Sequence, residues 1–149
     1  MSAEALRAEL EPVFVKSGSV LLAYLFGSAA RGETHDRSDI DLAVLFQDSS
    51  PAAYRALWKN LHAVLAPRAF DLVSLDAADP VLSFEVIREG VPLFYRSVDT
   101  LNSFELRAWH RYGDTRQLRA IGNHYLMERA REWFTRRKPS ASGSSSSKR

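Results

Sequence analysis

The stretch Leu25–Phe46, LFGSAARGETHDRSDIDLAVLF, decides how the 149-residue chain is organised. It contains the end of one apolar run, Val20–Phe26, and all of a second, Ile40–Phe46. Each run is short and bounded by turn-forming residues, which is typical of buried strands. The polar residues between them predict a loop, and the charged groups at the ends of that loop are the first candidates for function.

Outward from this stretch, the apolar spacing alternates between helical and strand patterns. The sequence Asp79-Pro80 is a typical helix start, because proline suits the first helical position. The alternation predicts an α/β or α+β domain with one central sheet, although the pattern does not reveal whether strands pair in parallel. The predicted helices cover residues 3–16, 51–66, 80–89 and a segment beyond about residue 99, and the two further strands cover residues 69–75 and 91–95.

The composition is that of an ordinary soluble globular protein, with 46% apolar and 26% charged residues. Without cysteine, disulfides and thiolate metal sites are excluded. We find no apolar run of about 18 residues and no signal-peptide pattern, so the expectation is a cytoplasmic protein without a membrane partner.

Charge is unevenly distributed along the chain. Residues 1–103 carry 9 Lys/Arg and 14 Asp/Glu, whereas residues 104–138 carry 9 basic and 4 acidic residues. The basic segment suits an acidic partner, nucleic acid or nucleotide phosphates, or is simply a solvated helix face. We predict a core over residues 1–98, a C-terminal helical segment over residues 99–138 and a disordered Ser-rich tail over residues 139–149.

Three aspartates form the first candidate site. Asp39 and Asp41 stand two residues apart at the start of a strand, so their side chains project to the same side. Their repulsion would be relieved by a divalent cation, and Mg²⁺ prefers one or two carboxylates together with water and phosphates. Asp71 lies early in the next apolar strand, where a nearly buried carboxylate would need a partner or a metal. If the two strands are neighbours, the three carboxylates suit two-metal phosphoryl or nucleotidyl transfer, with Asp71 assisting deprotonation of the acceptor.

The Gly27-Ser28 turn is the second candidate. Glycine allows the backbone to approach a phosphate closely, and a short helix starting at Ser28 would direct free N–H groups at it. The serine hydroxyl adds a hydrogen bond, and Arg31 would reach the same anion. Each feature alone is common on protein surfaces, so the hypothesis depends on their co-occurrence with the aspartates.

Together these residues resemble the signature of the DNA polymerase β-like nucleotidyltransferase superfamily, which is Gly-Ser, about ten residues, then Asp-x-Asp. The match is Gly27, Ser28, Asp39 and Asp41, with ten residues between Ser28 and Asp39. The third carboxylate of the superfamily falls on Asp71. The resemblance covers about residues 5–96 and implies a nucleotidyltransferase fold, a short mixed sheet flanked by helices.

Arg31-Gly32 and Ser38 are also typical of the small members of this superfamily, which adds Arg31 and Ser38 to the expected nucleotide-binding residues. The resemblance is to minimal nucleotidyltransferases, the antitoxin partners of HEPN ribonuclease toxins. It implies Mg²⁺-dependent transfer of AMP from ATP to a tyrosine of the toxin, with two metal ions held by the three aspartates. Only about 40 residues lie between the last strand and the predicted tail, residues 96–138, which favours an acceptor supplied by another protein.

Two alternatives remain open at this point. An antitoxin could act by occluding its partner alone, or the enzyme could modify a small alcohol such as an aminoglycoside. The choice of nucleotide is also open. Arg119 and His124 fit the Arg-x₄-His pattern of HEPN ribonucleases, but the helical segment is too short for that bundle, and direct nucleic-acid binding is not predicted.

Overall fold

The computed structural model describes residues 2–32 and 39–116, together with residues 120, 124, 127, 128, 131 and 132. The chain divides into two compact units, residues 1–112 and residues 113–149. Among the described residues of the second unit, exposed His124 and Glu128 lie one helical turn apart, with Nε2 and Oε1 separated by 3.4 Å. Ser38, Arg119 and the residues from 133 onward lie outside the described residues.

Within the described residues 2–32 and 39–116, four strands and four α-helices follow one another in the order that the apolar spacing predicts. Ser50 and Asp79 cap the helices that follow them by accepting hydrogen bonds from Ala53 and Leu82 N–H, and proline occupies the first turn in each case. The elements are α1 (Ala3–Lys16), β1 (Val20–Phe26), β2 (Ile40–Phe46), α2 (Pro51–Leu65), β3 (Phe70–Ser74), α3 (Pro80–Glu89), β4 (Val91–Tyr95) and α4 (Val98–Asp114).

The strands form one mixed sheet in the order β3-β2-β1-β4. Strand β1 pairs antiparallel with both β2 and β4, whereas β2 and β3 are parallel. The parallel pair places the first residues of β2 and β3 at the same end of the sheet. The predicted fold, a short mixed sheet flanked by helices, is confirmed.

Each face of the sheet has its own apolar core, because side chains alternate between faces along a strand. Helices α1 and α2 cover one face, where Leu10, Leu61 and Leu42 belong to one buried cluster. Helices α3 and α4 contribute to the opposite face, where Ala43 and Leu45 of β2 join the cluster of Val86, Phe104 and Ala108. Among the described helices, none is long and apolar enough to cross a membrane.

Helix α4 is tied to the sheet by a polar contact as well as by packing. The Tyr24 hydroxyl donates a hydrogen bond of 2.6 Å to Glu105 Oε1, and its ring lies 6.3 Å from that of Phe104. Burial and the neighbouring carboxylate raise the pKa of Tyr24 well above its ordinary value, so the hydroxyl remains a proton donor.

Candidate functional site

The carboxylates of the candidate site lie at the end of the sheet where β2 and β3 begin. Asp41 and Asp71 are direct partners in the parallel ladder, and the Ile40 N–H anchors its start by donating to the Ala69 carbonyl at 3.1 Å. Asp41 shares its face with Ala43, so it lies on the α3 and α4 side of the sheet. The strands that carry Asp41 and Asp71 are therefore neighbours in the sheet, as the hypothesis of a shared metal site requires.

The three carboxylates interact electrostatically. Partial burial raises the pKa of Asp41 above its ordinary value of 3.8, and the charges of Asp71 and then Asp39 raise it further. The charged form of Asp41 is therefore disfavoured by desolvation and by two like charges. A cation or a proton at this position relieves both effects.

The burial expected for Asp71 is wrong. Asp71 is exposed, and β3 is an edge strand of the described sheet. Asp39 is also exposed, whereas Asp41 is half-buried. Burial of Asp71 is therefore no reason to expect a metal. The remaining reason is that Asp71 pairs with Asp41 in the parallel ladder.

Gly27 brings the turn and the carboxylates into contact. Its neighbour Phe26 pairs with Asp41 across β1 and β2. Gly27 has φ +75°, in the left-handed region, and a Cβ built on it would lie 2.3 Å from Asp41 Oδ2. A side chain is thus disfavoured both by the backbone conformation and by the position of the aspartate. The glycine allows the turn to lie directly against the carboxylate.

The Gly27-Ser28 turn is a single 3₁₀ turn, Gly27–Ala29, instead of the short helix predicted to start at Ser28. The Arg31 N–H donates to the Ser28 carbonyl at 3.2 Å, which closes the turn. Ser28 is half-buried and remains beside the carboxylates through its neighbour Gly27.

Arg31 is exposed and lies 3.7 Å from Glu89, measured from Nη1 to Oε2. Sequence reasoning missed this acidic partner at the end of α3. No local pattern could have revealed it, because the two residues belong to distant parts of the chain. Of the expected nucleotide-binding residues, Gly27, Ser28 and Arg31 lie on one turn, whereas Ser38 is outside the described residues.

The three aspartates suit a hard cation that completes its coordination with water and phosphate oxygens. Among the described residues, no group of three or more His, Cys, Asp or Glu forms a metal cage by itself. Asp39 and Asp41 nonetheless offer carboxylate oxygens beside Asp71, and Mg²⁺ takes one or two carboxylates plus water and substrate phosphates. The raised pKa of Asp41 agrees with a place where positive charge is needed.

Comparisons with known proteins agree with this geometry. The family model described as "Polymerase beta, Nucleotidyltransferase" matches residues 8–99. Protein adenylyltransferase MntA of Shewanella oneidensis is 38% identical over 73 residues, which are 49% of this chain and 52% of that protein. The chain thus spans about half the length of this curated relative.

Two solved structures of toxin–antitoxin systems also resemble the chain. One, crystallised with AMP-PNP, has a TM-score of 0.68 at 28% identity, covering 80% of this chain and 98% of its own. The MntA–HepT pair has a TM-score of 0.64 at 25% identity, covering 83% and 98%. The resemblance inferred from the Gly-Ser and Asp-x-Asp spacing is confirmed: this chain belongs to the polymerase β nucleotidyltransferase family.

Proposed function

We propose that this protein is a protein adenylyltransferase that transfers AMP from ATP to a tyrosine of a cognate HEPN-type toxin and thereby neutralises it. The tyrosine oxygen would form a bond to the α-phosphate, the bond between the α- and β-phosphates would break, and pyrophosphate would leave. The observation that carries the proposal is the contact of the Gly27 turn with Asp41, which is itself the ladder partner of Asp71. A phosphate-binding turn and a set of carboxylates thus occupy one end of one sheet. Nucleotidyl transfer needs both within the length of a triphosphate.

The nucleotide-binding role falls to the turn. In this proposal the backbone of Gly27 and the hydroxyl of Ser28 bind the triphosphate, as close backbone approach permits. Arg31 would contribute positive charge after exchanging Glu89 for a phosphate, an exchange with a small cost because both side chains are exposed. Ser38 completes the proposed nucleotide-binding set.

The carboxylates have two roles in this proposal, which are binding of Mg²⁺ and acceptance of a proton from the acceptor hydroxyl. Asp39 and Asp41 would hold Mg²⁺, with Asp71 contributing from the neighbouring strand. When bound, Mg²⁺ supplies charge neutralisation at the phosphates and lowers the pKa of the attacking hydroxyl. Asp71 is exposed at the sheet edge, so it is accessible to an acceptor from another chain and is the residue proposed to receive the acceptor proton.

The similar proteins support the choice of donor and acceptor. The relative from Shewanella oneidensis is named as a protein adenylyltransferase, and a similar toxin–antitoxin structure was obtained with AMP-PNP. Another similar structure is that of the toxin–antitoxin pair MntA–HepT. We therefore propose ATP as donor, a partner protein as acceptor and a cytoplasmic location, with residues 1–98 as the nucleotidyltransferase core.

The proposal is tested by incubating the purified chain with its co-purified partner, Mg²⁺ and ATP labelled in the α-phosphate. We expect the partner to acquire label, and Asp39→Asn and Asp41→Asn each to abolish this. Asp99→Asn is the matched control, because Asp99 is an exposed aspartate in the first turn of α4. Labelling that survives both site substitutions would overturn the proposal.

The same preparation distinguishes the alternatives. Neutralisation of the toxin by the Asp39/Asp41 double variant, without labelling, would indicate an antitoxin that acts by occlusion. Turnover on hydroxylated small molecules without any partner would indicate a small-molecule nucleotidyltransferase.

A further inference from the structure

A second concave site lies on the same face of the sheet as the carboxylates, beneath α3 and α4. Its volume is about 250 Å³. Leu45 and Phe104 form apolar walls, and the polar groups that line it are Ser83, Asp76, Arg107 and Arg111. Asp41 and Leu45 are four residues apart on β2, so this pocket lies about 13 Å along the strand from the carboxylate end.

The hydroxyl of Ser83 is a buried polar group in need of a partner. Ser83 has 0% exposure, and its Oγ has no hydrogen-bond partner among the residues that the structure describes. Most buried polar side-chain atoms in native proteins are hydrogen-bonded, so such an exception indicates a missing partner. Ser83 lines the pocket, so a molecule bound there would supply that partner once the Ser83 side chain rotates toward the cavity.

Positive charge at this pocket is also unbalanced. Arg107 and Arg111 are one helical turn apart on α4, where like charges repel each other. Within the described part of the chain, neither guanidinium forms a salt bridge or a hydrogen bond. Asp76, the acidic residue of the pocket, is already engaged, because its Oδ2 accepts from the Phe46 N–H at 2.9 Å and from Ser74 Oγ at 3.2 Å.

The dimensions and chemistry of the pocket select a class of ligand. A volume of about 250 Å³ lies below the range of about 300–1,000 Å³ typical of pockets for drug-sized ligands, so the pocket suits a ligand smaller than a nucleotide. The apolar walls suit a hydrocarbon body, and the two arginines suit a carboxylate or a phosphate monoester.

We propose that the pocket between β2, α3 and α4 binds a small organic anion. The anionic group would pair with Arg107 and Arg111, the hydrocarbon part would lie against Leu45 and Phe104, and a polar atom would bond to Ser83. This site is separate from the proposed nucleotide site and does not depend on the proposed adenylyltransferase activity.

The experiment titrates the full-length protein with phenyl phosphate, benzoate and inorganic phosphate, using calorimetry and amide chemical shifts. We expect phenyl phosphate or benzoate to bind at least tenfold more tightly than inorganic phosphate, with shifts at Leu45 and Ser83. The double variant Arg107→Gln/Arg111→Gln should weaken binding at least tenfold. The control Arg55→Gln, on α2 over the opposite face, should bind as the wild type does.

Three results would overturn the proposal. The first is no binding of either organic anion at millimolar concentration. The second is equal affinity for inorganic phosphate, which would remove the role of the apolar walls. The third is competition with ATP, which would place the anion in the nucleotide site. Ser83→Ala tests the hydroxyl contact, because it should weaken the binding of phenyl phosphate or benzoate while leaving the overall charge unchanged. Unchanged affinity for both would remove Ser83 from the proposed site.

Discussion

Replacement of Gly27 by alanine should separate the stability of this fold from its proposed chemistry. At φ +75°, an alanine adopts a left-handed conformation, which costs about 1–2 kcal/mol. Its Cβ would also lie 2.3 Å from Asp41 Oδ2, whereas ordinary contacts begin at 3.4 Å. The carboxylate must therefore move by about 1 Å.

The two effects differ in size because Asp41 Oδ2 is the end of a short side chain that can rotate away. The loss of folding free energy should stay near the backbone cost of about 1–2 kcal/mol. A misplacement of about 1 Å in a reacting constellation, in contrast, can cost about 100-fold in rate. We expect Gly27→Ala to fold but to transfer AMP about 100-fold more slowly.

Gly32→Ala provides the matched control. Gly32 has the same φ of +75°, and a Cβ built there meets no atom of the described residues within 4 Å. Urea unfolding should show similar losses of stability for the two variants, and rates of AMP transfer to the partner should differ by about 100-fold between them. Equal rates would refute the reasoning that contact with Gly27 sets the position of Asp41.

Three further predictions concern the same face of the sheet. Because the pKa of Asp41 is raised in the folded protein, protonation favours folding, so stability should rise as the pH falls from neutral through this raised pKa. Melting temperatures of Asp41→Asn should lack that rise. An identical pH profile for the wild type and the variant would contradict this prediction. At pH 7, Mg²⁺ should raise the melting temperature of the wild type more than that of Asp41→Asn, and equal shifts would speak against cation binding by this carboxylate. Tyr24→Phe removes the 2.6 Å hydrogen bond to Glu105 and should lower the urea-derived free energy of unfolding by about 2 kcal/mol, whereas a loss below about 0.5 kcal/mol would show that this bond does not hold α4.

Local signals in the sequence predicted most of the elements. The helix starting at Pro80 follows from a capping aspartate and a proline, both of which act within one turn. Strands β1 and β2 have the predicted bounds, because apolar runs bounded by turn residues have few other solutions. Strand β3 is shorter at each end than the predicted residues 69–75.

The relations between elements could not be predicted in the same way. The parallel pairing of Asp41 with Asp71, and the contact between Gly27 and Asp41, depend on the register of strands that local pattern does not determine. The exposure of Asp71 follows from its position on an edge strand, which the apolar run around it concealed. The roles of these residues in catalysis, and the division at residues 98–99, remain predictions.

The proposed role also accounts for the unfavourable electrostatic environment of Asp41. Asp41 is held half-buried beside two like charges, an arrangement that disfavours its charged form. A structural position would be better filled by a neutral residue, whereas a nucleotidyltransferase needs the negative charge when Mg²⁺ and a triphosphate arrive. We therefore interpret Asp39, Asp41 and Asp71 as a proposed set whose negative charge would be balanced by a metal ion when substrate binds.

AMP transfer to the partner is measured directly by intact and peptide mass spectrometry of the partner after co-expression with this chain. With the wild type, we predict a partner whose mass increases by one or more AMP groups, mapped to tyrosine. With Asp39→Asn/Asp41→Asn, the partner should have its unmodified mass, and with Asp99→Asn it should again be modified. A partner that is neutralised but unmodified by the wild type, or equally modified with the double variant, would contradict the account.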